Sequence, residues 1–156
     1  VSYDTLSNYL GYIEEAFLAY KTERYNIKGK DVVAGNCKYY LNDLSFKNFL
    51  YPGFAYGVGY LLENAVYLEL RRLGYIVYTG SFRDKEVDFV AMKDDRVIYL
   101  QATYMLETAQ TMEREYAPLL TIGDNYEKYV VSMDEVQFPS NEGVRHIQAW
   151  NLKEIL

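Results

Sequence analysis

Four residues of this chain are of types and in places that suggest a chemistry: Glu63, Asp88, Gln101 and Thr103. Glu63 stands in the mostly apolar run LLENAV. Asp88 lies at the centre of KEVDFVAM, a strand-like segment where aspartate is disfavoured. Carboxylates on neighbouring elements that converge on one point suit a hard divalent cation such as Mg²⁺ or Mn²⁺. Such a cation polarises a phosphoryl group and lowers the pKa of the attacking water, and a lysine close by offsets the developing charge. The chemistry indicated is metal-assisted phosphodiester cleavage. Glu63 and Asp88 would be the acidic pair, and the Gln101 amide oxygen a third, uncharged ligand.

The elements that must position these residues are a helix and three strands. Residues 58–73 are apolar at Leu61, Leu62, Ala65, Val66, Leu70 and Leu73, a stripe wide enough to be covered on more than one side. Arg71 and Arg72 suit a helix C-terminus, and Gly74 falls where a C′ glycine is expected. YIVYTG, KEVDFVAMK and RVIYLQATY follow as strands, the last two joined by the turn Lys93-Asp94-Asp95-Arg96 as an antiparallel hairpin. Strict alternation sets Val87, Phe89 and Ala91 against Glu86, Asp88 and Val90. It also sets Val97, Tyr99, Gln101 and Thr103 against Ile98, Leu100, Ala102 and Tyr104. MLETAQTMEREYAPLL predicts a second helix ending near Pro118. EKYVVSMDE and VRHIQAW read as strands, and NLKEIL as a short terminal helix. This order predicts an α/β fold, a mixed sheet with helices on both faces, in which the crossover sets EKYVVSM parallel to the strand before it.

The first third reads differently. SYDTLSNYLGYIEEA predicts a helix capped by Ser2 or Asp4, with the apolar stripe Leu6, Tyr9, Leu10 and Ile13. FLAYKTERYNI and VVAGNCKYYLND flank a Lys-Gly-Lys-Asp turn as a basic hairpin. A helix followed by such a hairpin resembles the second half of a winged-helix module. With a single helix present, packing of the hairpin on the main domain is the simpler reading. A short helix over residues 44–50, capped by Asp43 and stopped at Pro52-Gly53, connects the two parts. The division expected is a winged-helix-like remnant over 1–50 and the α/β core over 51–156.

Composition narrows the function classes. The 156 residues are 50% hydrophobic, enough for one well-buried core. No apolar run reaches the ~20 residues that span a bilayer, and there is no signal-peptide pattern. A cytoplasmic protein is expected. Val1 in place of a start methionine suggests a segment of a longer protein. Cys37 and His146, one of each type, cannot make the usual Cys/His zinc site; both read as ordinary strand residues. The net charge of −6 is a poor footprint for nucleic acid. Residues 1–50 carry six basic and six acidic side chains, however, and residues 51–156 ten against sixteen. Lys21, Arg24, Lys28 and Lys30 are therefore the candidate phosphate contacts. A tyrosine-rich surface of Tyr39, Tyr40, Tyr56 and Tyr60 is the alternative, a protein-docking face or dimer contact.

Glu63, then EVDF with Asp88, then a strand ending in a polar-x-polar pair resembles the PD-(D/E)XK, or restriction-endonuclease-like, nuclease fold. More specifically, KYYLNDLSFKNFL, LLENAVYLEL, GYIVYTG, KEVDFVA and YLQATY in this order resemble a domain of unknown function. That domain is found C-terminal to the P-loop domain of predicted bacterial and archaeal AAA-type ATPases. The resemblance runs from about Thr5 to Met133 and implies an N-terminal ATPase domain as partner, with the segment before KYYL belonging to a winged-helix-like region. No G-x-x-x-x-G-K-[S/T] occurs in this chain, so ATP is not expected to bind here. The resemblance implies a Glu-x-Lys pair on the third strand, where this chain has Gln101 and Thr103. Lys85 or Arg83 is the candidate replacement for the lysine. With two carboxylates and no lysine the site is expected to be weak or vestigial, in a module that binds DNA or a protein partner. An active Mg- or Mn-dependent endonuclease and a pure protein-interaction domain are the alternatives.

Overall fold

The computed structural model describes residues 2–53 and 57–156. Its elements in chain order are α1 (Tyr3–Glu15), β1 (Ala19–Asn26), β2 (Asp31–Leu41), α2 (Ser45–Leu50) and α3 (Val58–Arg72). There follow β3 (Ile76–Phe82), β4 (Lys85–Lys93), β5 (Arg96–Ala102), α4 (Ala109–Leu120), β6 (Glu127–Ser132), β7 (Val144–Gln148) and a 3₁₀ helix (Ala149–Glu154).

The strands form one seven-stranded mixed sheet in the order β2-β1-β3-β4-β5-β6-β7. β3, β4 and β5 are antiparallel neighbours, and β6 joins β5 in parallel, as the crossover through α4 requires. Two apolar layers cover the faces. Leu62, Val66, Tyr67 and Leu70 of α3 pack with Val77, Phe89, Ile98 and Leu100 on one side. Tyr116 and Leu119 of α4 pack with Val87, Val90, Tyr99 and Val130 on the other. The mixed α/β architecture expected from the sequence is present.

The basic hairpin extends this sheet. β1 pairs antiparallel with β2, and its end pairs in parallel with β3, Arg24 opposite Thr79 and Asn26 opposite Ser81. β2 is thereby one edge of the main sheet. Helix α1 is capped by Ser2, whose hydroxyl accepts from the Thr5 amide, but it buries no residue. Leu6 and Tyr9 of the expected stripe are exposed.

Two boundaries differ from the expectation. Helix α4 carries Pro118 within its last turn and runs to Leu120, two residues past the proline near which its end was expected. It begins at Ala109, not Met105: the Thr108 hydroxyl caps the Thr111 amide, while the Leu106 amide is held by Asp134 at 2.8 Å.

The alternation of β4 also breaks. Tyr78 pairs with Val90 and Gly80 with Val87, so Asp88 and Phe89 together stand opposite Thr79 alone. This is a β-bulge, which re-aims the side chains it contains. Val87 and Phe89, expected on one face, pack in opposite layers. Gly80 permits this: a Cβ there would lie 2.9 Å from Val90 Cγ2 and 3.0 Å from Val87 Cβ.

Candidate functional site

Glu63 and Asp88 meet, as expected, and they meet around a lysine. Glu63 projects from α3 and Asp88 from the bulge of β4. Between them lies the ammonium of Lys38, from β2. Its Nζ is 2.9 Å from Glu63 Oε1, 2.9 Å from Glu86 Oε1 and 3.5 Å from Asp88 Oδ1. Arg24 of β1 holds the other Glu86 oxygen at 2.7 Å, and the Tyr40 hydroxyl donates to Glu63 Oε1 at 2.7 Å. The edge hairpin thus supplies two cations and a phenol to three carboxylates of α3 and β4. Neither Lys85 nor Arg83 takes the lysine's place; Arg83 lies over the Phe82 ring, and Lys85 lines a surface groove beside Tyr116.

The hairpin is fixed to α3 by two contacts. The buried Asn64 amide accepts from the Leu41 N–H at 2.8 Å and donates to the Leu41 carbonyl at 2.9 Å, imitating one rung of a strand pair. The Tyr40 ring stacks on Tyr67 at 4.2 Å between centroids. These contacts aim Lys38 at the carboxylates. They also bury Tyr40, which is only 5% exposed and so unavailable as a docking residue. Tyr39 and Tyr60 are exposed, and Tyr56 lies outside the described residues. A groove of about 520 Å³ opens beside the cluster, lined by Tyr40, Leu44, Tyr60 and Leu61 with Lys38 and Glu63 at one side.

Gln101 and Thr103 take structural positions. Gln101 Oε1 accepts the Asp88 backbone N–H at 3.3 Å, and its Nε2 donates to Glu115 of α4 at 3.4 Å. The side chain supports the bulge and links it to α4. Thr103 is buried, its N–H bonded to the Val131 carbonyl, and among the described residues no hydrogen bond joins its side chain to the cluster. The four basic candidates of the first third are also divided. Arg24 is paired with Glu86 and Lys30 lies over the Tyr126 ring, whereas Lys21 and Lys28 are exposed.

Electrostatics follow from this packing. Burial and the neighbouring Glu63 carboxylate push the Asp88 carboxyl up to about 7, against the pull of Lys38 and of the Ala102 amide, which donates to Oδ2 at 2.9 Å. Asp88 has the longest of the three ammonium contacts, so Lys38 does not compensate its desolvation. Burial also opposes the charge on Lys38, but Asp88 and Glu63 outweigh it and hold the ammonium above the ordinary lysine range. Burial and then Glu63 raise the Tyr40 phenol, which keeps it a donor. Glu86 is lowered: desolvation is outweighed by Lys38 and Arg24.

The space between the carboxylates belongs to the Lys38 ammonium, so a divalent cation would be held there only with that ammonium displaced.

A second buried polar cluster lies at β6 and β7. His146 Nδ1 accepts the Phe138 N–H at 3.1 Å, so its proton is on Nε2, which donates to Ser132 Oγ at 2.8 Å. The Ser132 hydroxyl in turn donates to Asp134 at 2.7 Å. Ser132 is fully buried and its proton is committed, so this is a clamp on the loop after β6, not a nucleophile. No local pattern marks a partner for His146; Ser132 is fourteen residues away and adjacent only through the parallel β6–β7 pairing.

The class defined by these observations is a mixed α/β domain with a lysine-centred acidic cluster between its edge hairpin, its first core helix and a bulged central strand. The chain is 37% identical over 128 residues to an uncharacterised protein of Haemophilus influenzae, a match covering 82% of this chain and 31% of that protein. It is 31% identical over 119 residues to an uncharacterised protein of Methanocaldococcus jannaschii, covering 74% of this chain and 26% of the relative. The chain therefore spans less than a third of the length of these relatives. No family model and no solved structure matches it. Among the described residues no helix is long and apolar enough to cross a membrane.

Proposed function

We propose that this chain is a nuclease-fold module of a longer AAA-type ATPase, catalytically silent, that serves that protein by binding a protein partner or DNA. The order of motifs supports the fold and the ATPase, and the length of the relatives leaves room for a further domain. The observation that carries the silent reading is Lys38: its ammonium fills the space between Glu63, Glu86 and Asp88 that a catalytic cation and a phosphate oxygen would need. A protein partner is the better-supported ligand. Two of the four basic candidates are engaged within the chain, whereas α1 presents Tyr3, Leu6, Tyr9 and Tyr12 to solvent.

The test is to incubate the protein with labelled duplex and single-stranded DNA in Mn²⁺, following cleavage on gels and binding by fluorescence anisotropy. No cleavage is expected, with DNA binding no tighter than about micromolar at physiological salt. Cleavage that is lost in Asp88→Ala overturns the silent reading. Submicromolar duplex binding moves the ligand from protein to DNA.

One observation favours a second reading, a Mg- or Mn-dependent endonuclease. Lys38 brings to Glu63 and Asp88 the positive charge that Thr103 does not. With the Lys38 ammonium displaced from between the carboxylates toward the phosphate, whose charge it would offset, Glu63, Asp88 and the Gln101 amide would hold the metal, which would supply an acidified water. The same cleavage assay decides between the two.

A further inference from the structure

We propose that Lys38 is the resident cation of the acidic centre: its ammonium stands in for a divalent metal and keeps one out. The inference rests on the reading of a silent module and extends it to a specific cause. An ammonium has three N–H donors. Here three carboxylates surround it, at 2.9, 2.9 and 3.5 Å, from two different elements of the core. The charges come close to balance. Lys38 and Arg24 face Glu63 and Glu86, and Asp88 is the group whose burial favours a proton. A divalent ion added to this arrangement would sit within contact distance of an ammonium, where repulsion in a partly buried site is large.

The lysine is also built in. It is carried on a strand whose next inward residue, Tyr40, bonds the same Glu63 oxygen, and whose Leu41 backbone is gripped on both sides by Asn64. A surface lysine that wandered into an acidic patch would have no such support. Loss of Glu-x-Lys from β5 and entry of a lysine from β2 therefore belong together: the charge that stabilises the carboxylates arrives on the edge hairpin, and it occupies the metal's position in place of assisting it.

The neutral variant should consequently gain a property. Lys38→Met leaves Glu63, Glu86 and Asp88 facing one another around an empty centre, and a hard cation becomes the natural counter-charge. The experiment is Mn²⁺ titration by calorimetry of the wild type, Lys38→Met and Lys38→Met/Asp88→Asn, with Mn²⁺-dependent melting as a second readout. Removing a unit charge at contact distance should tighten Mn²⁺ binding on the order of a hundredfold in Lys38→Met relative to wild type. The double variant should lose that gain. Equal affinity in wild type and Lys38→Met, or a folded Lys38→Met that binds no Mn²⁺, overturns the proposal. Should Lys38→Met fail to fold, Lys38→Gln, which keeps an amide donor without charge, is titrated in its place. If neither folds alone, recovery of the native far-UV spectrum on refolding with Mn²⁺ supports the proposal, and failure to recover it overturns it. DNA cleavage by the wild type would refute the silent module; Mn²⁺ binding by the wild type as tight as that of Lys38→Met would refute the resident lysine.

Discussion

Asp88 should make this protein lose stability as pH rises through neutrality, and Asp88→Asn should remove that loss. The carboxyl ordinarily titrates at 3.8 and in the folded chain at about 7, so the folded state holds a proton that the unfolded state has released. A raised carboxyl contributes stability that is complete below the unfolded value and is lost as pH climbs through the folded one. The full gap corresponds to about 4 kcal/mol, of which about 2 kcal/mol falls between roughly pH 5.5 and pH 8. Other groups titrate in the same window. Burial lowers His146, so its unfolded form takes up a proton first and stability falls as pH drops below 6.5, the opposite sign. The assay is therefore a difference: urea unfolding of wild type and Asp88→Asn by circular dichroism across this range. His146 cancels in the subtraction, and asparagine retains an oxygen for the Ala102 amide. A difference that stays flat across the range would refute the assignment of Asp88 as a buried, proton-holding group.

Other outcomes follow from the same geometry. Gly80→Ala puts a methyl 2.9–3.0 Å from Val90, Val87 and Ile27, and should destabilise by about 1–3 kcal/mol in urea titrations; an unchanged midpoint would contradict the close packing at the bulge. Asn64→Ala strips both partners from the Leu41 backbone and should cost about 2 kcal/mol, with faster hydrogen exchange in residues 38–41; exchange unchanged there would show that the clamp does not hold the hairpin. The chain has one histidine, so its imidazole C2 proton gives a single NMR titration; the midpoint should fall below 6.5, and a value at or above it would refute the neutral clamp with Ser132.

The local parts of this fold were legible because they depend on periodicity and punctuation. The α3 stripe, the arginines of its last turn and Gly74 at φ +87° are all visible as residue types at set spacings. The convergence of Glu63 with Asp88 was legible too, since a helix and the central strand beneath it are close whatever the register. The orientation within β4 was not. A period of two assumes every residue is paired, and the extra residue of a bulge reverses the face of everything on one side of it. Nothing in KEVDFVAM announces that Asp88 and Phe89 share one partner.

Lys38 marks a different limit. It lies 25 residues before Glu63 and 50 before Asp88, and it reaches both because β1 lies in parallel beside β3. That pairing has no local signature; it is decided by which sheet edge can cover the apolar flank of α3. A hairpin read as a separate unit has a solvated lysine, and a hairpin joined to the sheet has a half-buried one. The residue's chemistry therefore follows from topology alone. The same dependence runs in reverse. Three carboxylates brought together on α3 and β4 would repel one another without a cation, so the core favours whichever arrangement of its edge supplies one. With Arg24 on Glu86 and Lys38 among all three, β1 and β2 each deliver one charge to the cluster. The acidic centre and the edge hairpin stabilise each other, and a substitution in either should be felt in the other.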